Sequence, residues 1–191
     1  PYVVNSSIFK TPQNIVKVGS SPEKLFVYGL IENAKYIDAW VKSRDMGFYS
    51  IEYEYFRKGK DRVRGSFNPD FFVKIDLDRY INLLREEGIE SQSLGMLQDK
   101  GIDIIIRAVE IKSEDDDDET TPAKKRYAEE HFAILNEKLF EGGNLPAEVL
   151  SEKDNHTNHL FVFDLLIPPQ FDHWFQNLRR GQDERYELRI Q

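Results

Sequence analysis

Two apolar stretches with embedded charges decide the fold: Phe67-Asn68-Pro69-Asp70-Phe71-Phe72-Val73 and Ile106-Arg107-Ala108-Val109-Glu110-Ile111-Lys112. Each is typical of a buried β-strand, and residues two apart on a strand point to the same face of the sheet. We therefore expect Glu110 and Lys112 to project together, and Asp70 to join them where the two strands are neighbours. Burying these charges is costly unless they are paired or bind a metal ion.

The three charged residues form a pattern that indicates phosphodiester hydrolysis. Mg²⁺ prefers oxygen ligands, so Asp70, Glu110 and the carbonyl of Ile111 are the expected metal ligands, with Mn²⁺ as a substitute. Such a metal polarises a phosphate oxygen. Lys112 could orient the attacking water, help to deprotonate it, or offset charge that develops on the phosphate. The alternative interpretation is a structural ion-pair network at a strand end.

Apolar periodicity outlines the other elements. Ser21-Pro22-Glu23 opens a helix whose apolar spacing continues toward Gly47, whereas residues 88–101 show no clear pattern. The further predicted strands are 48–56, 67–75, 102–111 and 160–167, and the further predicted helices are 77–86, 121–140 and 171–179. The coarse order of helix, three strands, helix and strand predicts an α/β fold with a mixed central sheet flanked by helices. Residues 1–20 are predicted to form an N-terminal arm and residues 21–191 one domain.

Pro69-Asp70 followed by Glu110-Ile111-Lys112 resembles the signature of the PD-(D/E)xK nucleases, and the predicted order of elements resembles their restriction-endonuclease-like core. Three further stretches resemble the C-terminal nuclease region of helicase-linked restriction proteins of the type III kind: 32–43, 47–53 and 127–132. The resemblance implies a magnesium-dependent endonuclease that cuts DNA in restriction or phage defence. It also implies an upstream helicase or ATPase as a partner, although no Gly-x-x-x-x-Gly-Lys-Ser/Thr loop occurs in this chain.

The same resemblance implies an acid from the first helix and a polar residue from the helix after the motif. Glu23 is the candidate for the first role, in which it would support a second metal ion or orient water, and Glu32 is the alternative. An acid in a first helical turn is equally explained by the helix dipole. Lys124, Lys125 and Tyr127 are the candidates for the second role, as contacts to nucleic acid.

A basic hairpin loop precedes the strand of Asp70. Its five cations are Arg57, Lys58, Lys60, Arg62 and Arg64. They are expected to clamp a phosphate beside the site, and the alternative is a solvated hairpin tip.

The net charge of the 191-residue chain is −8, with 34 acidic and 26 basic residues, which argues against tight DNA binding by this chain alone. Six of the acids are consecutive at 114–119, which leaves 28 acids against 26 basic residues elsewhere. We expect a mobile acidic loop over 114–121 that is either simply solvated or repels DNA until a partner orders it.

The lack of cysteines and the lack of a long apolar run indicate the cellular compartment and the class of protein. The chain has no cysteine, which excludes disulfides and thiolate metal sites and fits the cytoplasm. No apolar run is long enough to span a bilayer, so no membrane association is expected. The alternative to a nuclease is a catalytically silent module of the same fold that docks a motor or a modification subunit.

Overall fold

The computed structural model describes residues 2–3, 15–43, 49–57, 62–141, 158–183 and 185–186. The strands in chain order are β1 (Tyr2–Val3), β2 (Ile15–Val16), β3 (Ala39–Lys42), β4 (Ile51–Phe56), β5 (Arg62–Phe67), β6 (Phe71–Asp76), β7 (Ile102–Ile111) and β8 (Asn158–Leu166). The α-helices are α1 (Ser21–Glu32), α2 (Leu77–Glu86), α3 (Gln92–Asp99), α4 (Thr121–Glu141) and α5 (Phe171–Arg180), with short 3₁₀ turns at Ala34–Tyr36 and Pro168–Gln170.

A mixed sheet of four strands lies at the centre, in the spatial order β3-β6-β7-β8. The pairs β3·β6 and β6·β7 are antiparallel, whereas β8 runs parallel to β7. Every residue of β7 is buried or half-buried, as expected for a central strand covered on both faces. The predicted α/β class with a mixed sheet flanked by helices is therefore confirmed.

Each face of the sheet has its own hydrophobic core. On one face, Phe26 of α1 packs against Phe71 of β6 and Trp174 of α5, with ring centroids 5.3 Å apart in both pairs. On the other face, Phe132 of α4 and Ile51 of the β4–β5 hairpin pack against Ala108 and Phe163. Helices thus cover both faces, and the hairpin forms a separate two-stranded sheet beside α4.

The first predicted helix is wrong beyond Glu32. The side-chain amide of Asn33 donates to the Gly29 carbonyl (2.8 Å) and ends α1. The chain then makes one 3₁₀ turn, and Ala39–Lys42 forms β3, paired with β6. The short apolar run around Trp40 fits either a helix or a strand. It forms a strand because its backbone hydrogen-bonds to β6. The predicted end near Gly47 lies outside the described residues.

Two further predictions needed correction. The predicted strand 67–75 is divided: β5 ends at Phe67 in the hairpin, and β6 begins at Phe71, because Pro69 lacks the N–H that a continuous ladder requires. Of the predicted strand 48–56, Ile51–Phe56 forms β4 in the hairpin and not a strand of the central sheet, and residue 48 lies outside the described residues. Residues 88–101, which showed no pattern, contain α3, whose N-cap Ser91 accepts a hydrogen bond from the Leu94 amide (3.3 Å).

The remaining predicted elements lie within a few residues of their expected positions. Of the predicted arm, β1 and β2 pair with each other, and residue 1 and residues 4–14 lie outside the described part of the chain. The sequence also predicts that the glycines at 142 and 143 end the helix 121–140, and both lie outside the described part of the chain. Within the described ranges, no helix has the length and apolar character needed to cross a bilayer.

Candidate functional site

The ends of β6 and β7 bring Asp70 and Glu110 together. Phe71 pairs with Val109, so Asp70, one residue before β6, lies beside Glu110, one residue further along β7. The Ile111 amide donates a hydrogen bond to Asp70 Oδ2 (2.7 Å). The two segments that were singled out in the sequence therefore meet where β6 begins and β7 ends.

The Ile111 carbonyl faces the same side as the Asp70 carboxylate. The next amide, that of Lys112, donates to the Leu166 carbonyl of β8 (2.9 Å), so Lys112 directs its backbone toward β8. Along a strand, successive residues direct their N–H and C=O groups to opposite neighbours. Ile111 therefore directs both of its backbone groups toward the Asp70 side, where its carbonyl is suitably placed as a ligand.

Glu110 and Lys112 project together, as the period of a strand predicts. Lys112 Nζ lies 3.0 Å from Glu110 Oε1, and both side chains are largely buried. Burial, and then the negative charge of Asp70, raise the pKa of Glu110 to about 7. Burial alone would lower the pKa of Lys112, but Glu110 and the loop acids Asp116 and Asp118 outweigh it and raise that pKa. The lysine is therefore a cation at neutral pH.

Glu23 lies at the same end of the sheet, on the α1 side. The Ser20 hydroxyl accepts a hydrogen bond from the Glu23 amide (3.3 Å) and starts α1 there. Burial, and then the charge of Glu23, raise the pKa of Asp70, whereas the Ile111 amide and the Lys42 ammonium lower it. Glu32 is nine residues further along α1, roughly 14 Å along the helix axis, and so is not brought to this site.

Lys42 is a site residue that the sequence did not single out. Its Nζ lies 3.3 Å from Glu23 Oε2 and 5.7 Å from the centroid of the Phe71 ring. Lys42 ends β3, which was predicted as helix, so its position beside Asp70 was hidden. The pairing of β3 with β6 is the signal that places it there, and that pairing is a tertiary contact.

The candidate nucleic-acid contacts are divided between the site and its surroundings. Lys124 on α4 lies 3.1 Å from Asp118 and 5.7 Å from the centroid of the Tyr53 ring, and its charge lowers the pKa of Glu110. Tyr127 is half-buried beneath Arg126, and Lys125 lines a groove along β8 beside α5. Of these three candidates on α4, Lys124 is the one whose charge acts on Glu110.

The three described cations of the hairpin pair with nearby acids. Arg62 and Arg64 both pair with Glu54 and remain 61% and 82% exposed in their side chains. Arg57 lies 3.6 Å from Glu119 of the acidic loop. Lys58 and Lys60 lie outside the described residues. The described arginines are accessible to an anion, although Glu54 offsets part of their charge.

The acidic loop folds back toward the site through specific contacts. Asp118 Oδ1 accepts hydrogen bonds from the amide (2.9 Å) and the hydroxyl (2.7 Å) of Thr120, and these bonds lower the pKa of Asp118 to about 2. Asp116 accepts from the Thr121 hydroxyl (2.7 Å). Two of the loop acids thus fix the start of α4, and the mobility of the loop stays a prediction.

The donors present fit a magnesium ion that retains several waters. In the described part of the chain, no group of three or more His, Cys, Asp or Glu residues is arranged to hold a metal. Asp70, Glu110 and the Ile111 carbonyl are all oxygen donors, as Mg²⁺ prefers. Burial, and then repulsion from Asp70, raise the pKa of Glu110, and a cation between the two carboxylates would relieve this repulsion.

A second cluster of buried charges lies under α5. The Arg107 guanidinium forms two hydrogen bonds to Asp164 (2.7 and 2.8 Å), a third to Tyr186 (2.9 Å) and an ion pair with Asp183 (2.7 Å). Arg185 also pairs with both aspartates, at 2.7 Å each. Two arginines thus balance two aspartates, so this cluster joins the C-terminal segment to the sheet. It was not foreseen, although Arg107 and Asp164 are also charges embedded in apolar strands.

Comparison with protein-family models, with curated proteins and with solved structures finds no match to this chain.

Proposed function

We propose that this chain is a metal-dependent endonuclease domain that hydrolyses phosphodiester bonds in DNA. The observation that carries the proposal is the meeting of Asp70 with the Glu110–Lys112 pair at the ends of two neighbouring antiparallel strands. The central strands with α1 and α4 support it, because their order of helix, three strands, helix and strand is the order expected of a restriction-endonuclease-like core. The β4–β5 hairpin lies between β3 and β6 in the chain, and α2 and α3 lie between β6 and β7.

Asp70, Glu110 and the Ile111 carbonyl would hold Mg²⁺, or Mn²⁺ in its place. When bound, the ion supplies a Lewis acid that polarises the scissile phosphate. The Ile111 amide holds one oxygen of Asp70, which fixes the orientation of this carboxylate before any ion arrives. Such preorganisation lowers the cost of assembling the site around the substrate.

Lys112 acts as a cation and hydrogen-bond donor in this proposal. Its raised pKa keeps the ammonium protonated at neutral pH, which favours charge stabilisation at the phosphate and orientation of the attacking water over proton abstraction. Lys124 approaches Glu110 from α4. The exposed Arg57, Arg62 and Arg64 supply positive charge for the flanking phosphates.

DNA delivery is assigned to a partner. The net charge of −8 disfavours tight DNA binding by the chain alone, and the resemblance to type III-like restriction proteins suggests an upstream helicase or ATPase as that partner. We therefore propose a role in restriction or phage defence. We propose that this role is carried out in the cytoplasm, because disulfides are rare there and this chain has no cysteine.

The proposal is tested with the purified chain, supercoiled plasmid and Mg²⁺ or Mn²⁺. Wild type is expected to nick the plasmid, and Asp70→Asn and Lys112→Met to abolish nicking. Lys74→Met is the matched control, because it breaks the Lys74–Asp38 pair (3.0 Å), which lies further along β6 and joins it to the start of β3.

Two outcomes count against the enzyme. Equal nicking by wild type, Asp70→Asn and Lys112→Met would indicate a contaminating nuclease and refute the site. A wild-type chain that binds Mn²⁺ at Asp70 but cuts no DNA, even when fused to or mixed with its motor, would favour the silent docking module instead.

A further inference from the structure

We propose that this site binds a single divalent ion, and that the Lys42 ammonium takes the place beside Glu23 and Asp70 that a second ion would need. The inference rests on the proposed metal site of Asp70 and Glu110. It assigns Glu23 a structural partner inside the chain in place of the metal-supporting role that the sequence resemblance implies.

The contacts of Glu23 show that its charge is already compensated. Oε2 accepts a hydrogen bond from the Gly19 amide (2.7 Å) and lies 3.3 Å from Lys42 Nζ. The side chains of Glu23 and Lys42 are only 13% and 11% exposed. A carboxylate that is buried, hydrogen-bonded and ion-paired offers little to a metal ion, because the ion would first have to displace the ammonium.

The position of Lys42 is fixed by the sheet. Lys42 pairs with Phe71, and the following amide, that of Ser43, donates to the Asp70 carbonyl (2.8 Å). The side chain passes over the Phe71 ring to reach Glu23. A divalent ion on Glu23 would therefore lie within a few ångströms of a fixed positive charge, and like charges at that separation repel strongly in a half-buried site.

The charge balance of the site favours one ion. Lys42 faces Glu23 and Asp70, Lys112 faces Glu110, and Lys124 is paired with Asp118. One divalent ion at Asp70 and Glu110 makes these groups net positive, which suits the binding of one phosphodiester.

The experiment is to count Mn²⁺ ions bound per intact chain, by electron paramagnetic resonance of free Mn²⁺ and by calorimetry. Wild type is expected to bind one ion. Lys42→Met is expected to bind two, because Glu23 loses its cation, and Lys42→Arg to bind one, because it keeps the charge. The double variant Glu23→Gln/Lys42→Met should return to one ion. Lys74→Met, the matched lysine on β6, should also bind one.

The outcomes separate this inference from the nuclease proposal. Two ions bound by wild type would overturn the inference and leave the nuclease site standing, whereas no ion bound by wild type would overturn both. One ion bound by Lys42→Met with an intact thermal transition would also overturn the inference. If Lys42→Met does not fold, Lys42→Gln, which removes the charge and keeps a polar end, decides by the same count.

Discussion

The backbone amide of Ile111 donates a 2.7 Å hydrogen bond to Asp70 Oδ2, which joins the first residue of the site to the strand that carries the other two. The donor is a backbone group, so it persists whatever side chain occupies position 111. Asp70 is thereby oriented through one oxygen, and Oδ1 can serve a ligand. This bond partly offsets the burial and the repulsion from Glu23 that raise the pKa of Asp70.

Asp70→Asn is expected to stabilise the fold while it abolishes nicking. The raised pKa means that the ionised carboxylate is disfavoured in the folded chain, so a neutral isostere should raise the free energy of unfolding at pH 7. The amide oxygen can still accept from Ile111, but the metal ligand is lost and nicking should fall to background. Urea unfolding and the plasmid assay measure the two effects. Asp38→Asn, in the Lys74 pair, should leave activity unchanged and not raise stability.

The candidate trio was predictable because its signal is local. Glu110 and Lys112 share a face by the period of a strand, and a charge within an apolar stretch such as that of Asp70 requires a partner or a ligand. Arg107 and Asp164 carry the same local signal. Their partners, Asp183 and Arg185, come from the C-terminal segment, so only the tertiary contact distinguishes a closed ion-pair cluster from a candidate site.

Other features could not be predicted from local pattern. Trp40 and its neighbours fit a helix as well as a strand, and the pairing with β6 decides between the two. That decision moves Lys42 from a helix surface to the edge of the site, where it meets Glu23. The position of α3 was hidden for a different reason, because only Leu94, Leu97 and Ser93 of its eight residues are buried.

Neutralising part of the acidic loop is expected to strengthen DNA binding. The change spares Asp116 and Asp118, which bind the start of α4, and converts the other four loop acids to amides: Glu114, Asp115, Asp117 and Glu119. It also removes the ion pair of Arg57 with the loop. Affinity for a short duplex should rise several-fold at low salt, on the order of the effect of one or two phosphate contacts, and the gain should shrink as salt rises.

The control for the loop variant removes the same number of charges elsewhere. Four exposed acids distant from Glu110 become amides: Glu86, Glu90, Asp99 and Glu137. Fluorescence anisotropy on the duplex compares the two variants across a salt series. If the distant set increases affinity as much as the loop set, net charge alone explains the effect and the loop has no local role.

Position 29 is expected to require glycine because the Phe175 ring leaves no room for a side chain, and not because of an unusual backbone conformation. A Cβ on Gly29 would overlap the ring of Phe175, where α1 crosses α5. Gly29→Ala should therefore cost about 1–3 kcal/mol of unfolding free energy, although alanine favours a helix. Gly95→Ala in α3 is the matched control, because nothing lies within 4 Å of its Cβ, and it should stabilise by up to about 1 kcal/mol.

Relief of the overlap tests the cause. Phe175→Leu in the Gly29→Ala background should recover part of the loss, and Phe175→Leu alone should be destabilising. Equal stability of Gly29→Ala and Gly95→Ala in urea unfolding would contradict the close approach of the two helices.

The Arg107 cluster is expected to make the fold sensitive to acid. Burial alone would raise the pKa of Asp183, but the charges of Arg107 and Arg185 outweigh it and lower that pKa to about 2. The unfolded value is about 3.9, so the folded state binds the proton less readily. The resulting stability is therefore fully present above about pH 4 and is lost as the pH falls from there toward 2.

Asp183→Asn isolates this contribution. At pH 7 the variant leaves Arg107 and Arg185 with one carboxylate between them, and it should lose about 3–5 kcal/mol, the usual cost of removing one partner from a buried pair. As the pH falls through the pKa of Asp183, wild type loses the same charge, so the two unfolding free energies should converge. Urea unfolding at pH 7, 5, 3.5 and 2.5 follows the difference, with Asp99→Asn, an exposed aspartate, as the control. A difference between wild type and Asp183→Asn that stays constant over this range would show that Asp183 stabilises the C-terminal segment through packing and not through its charge.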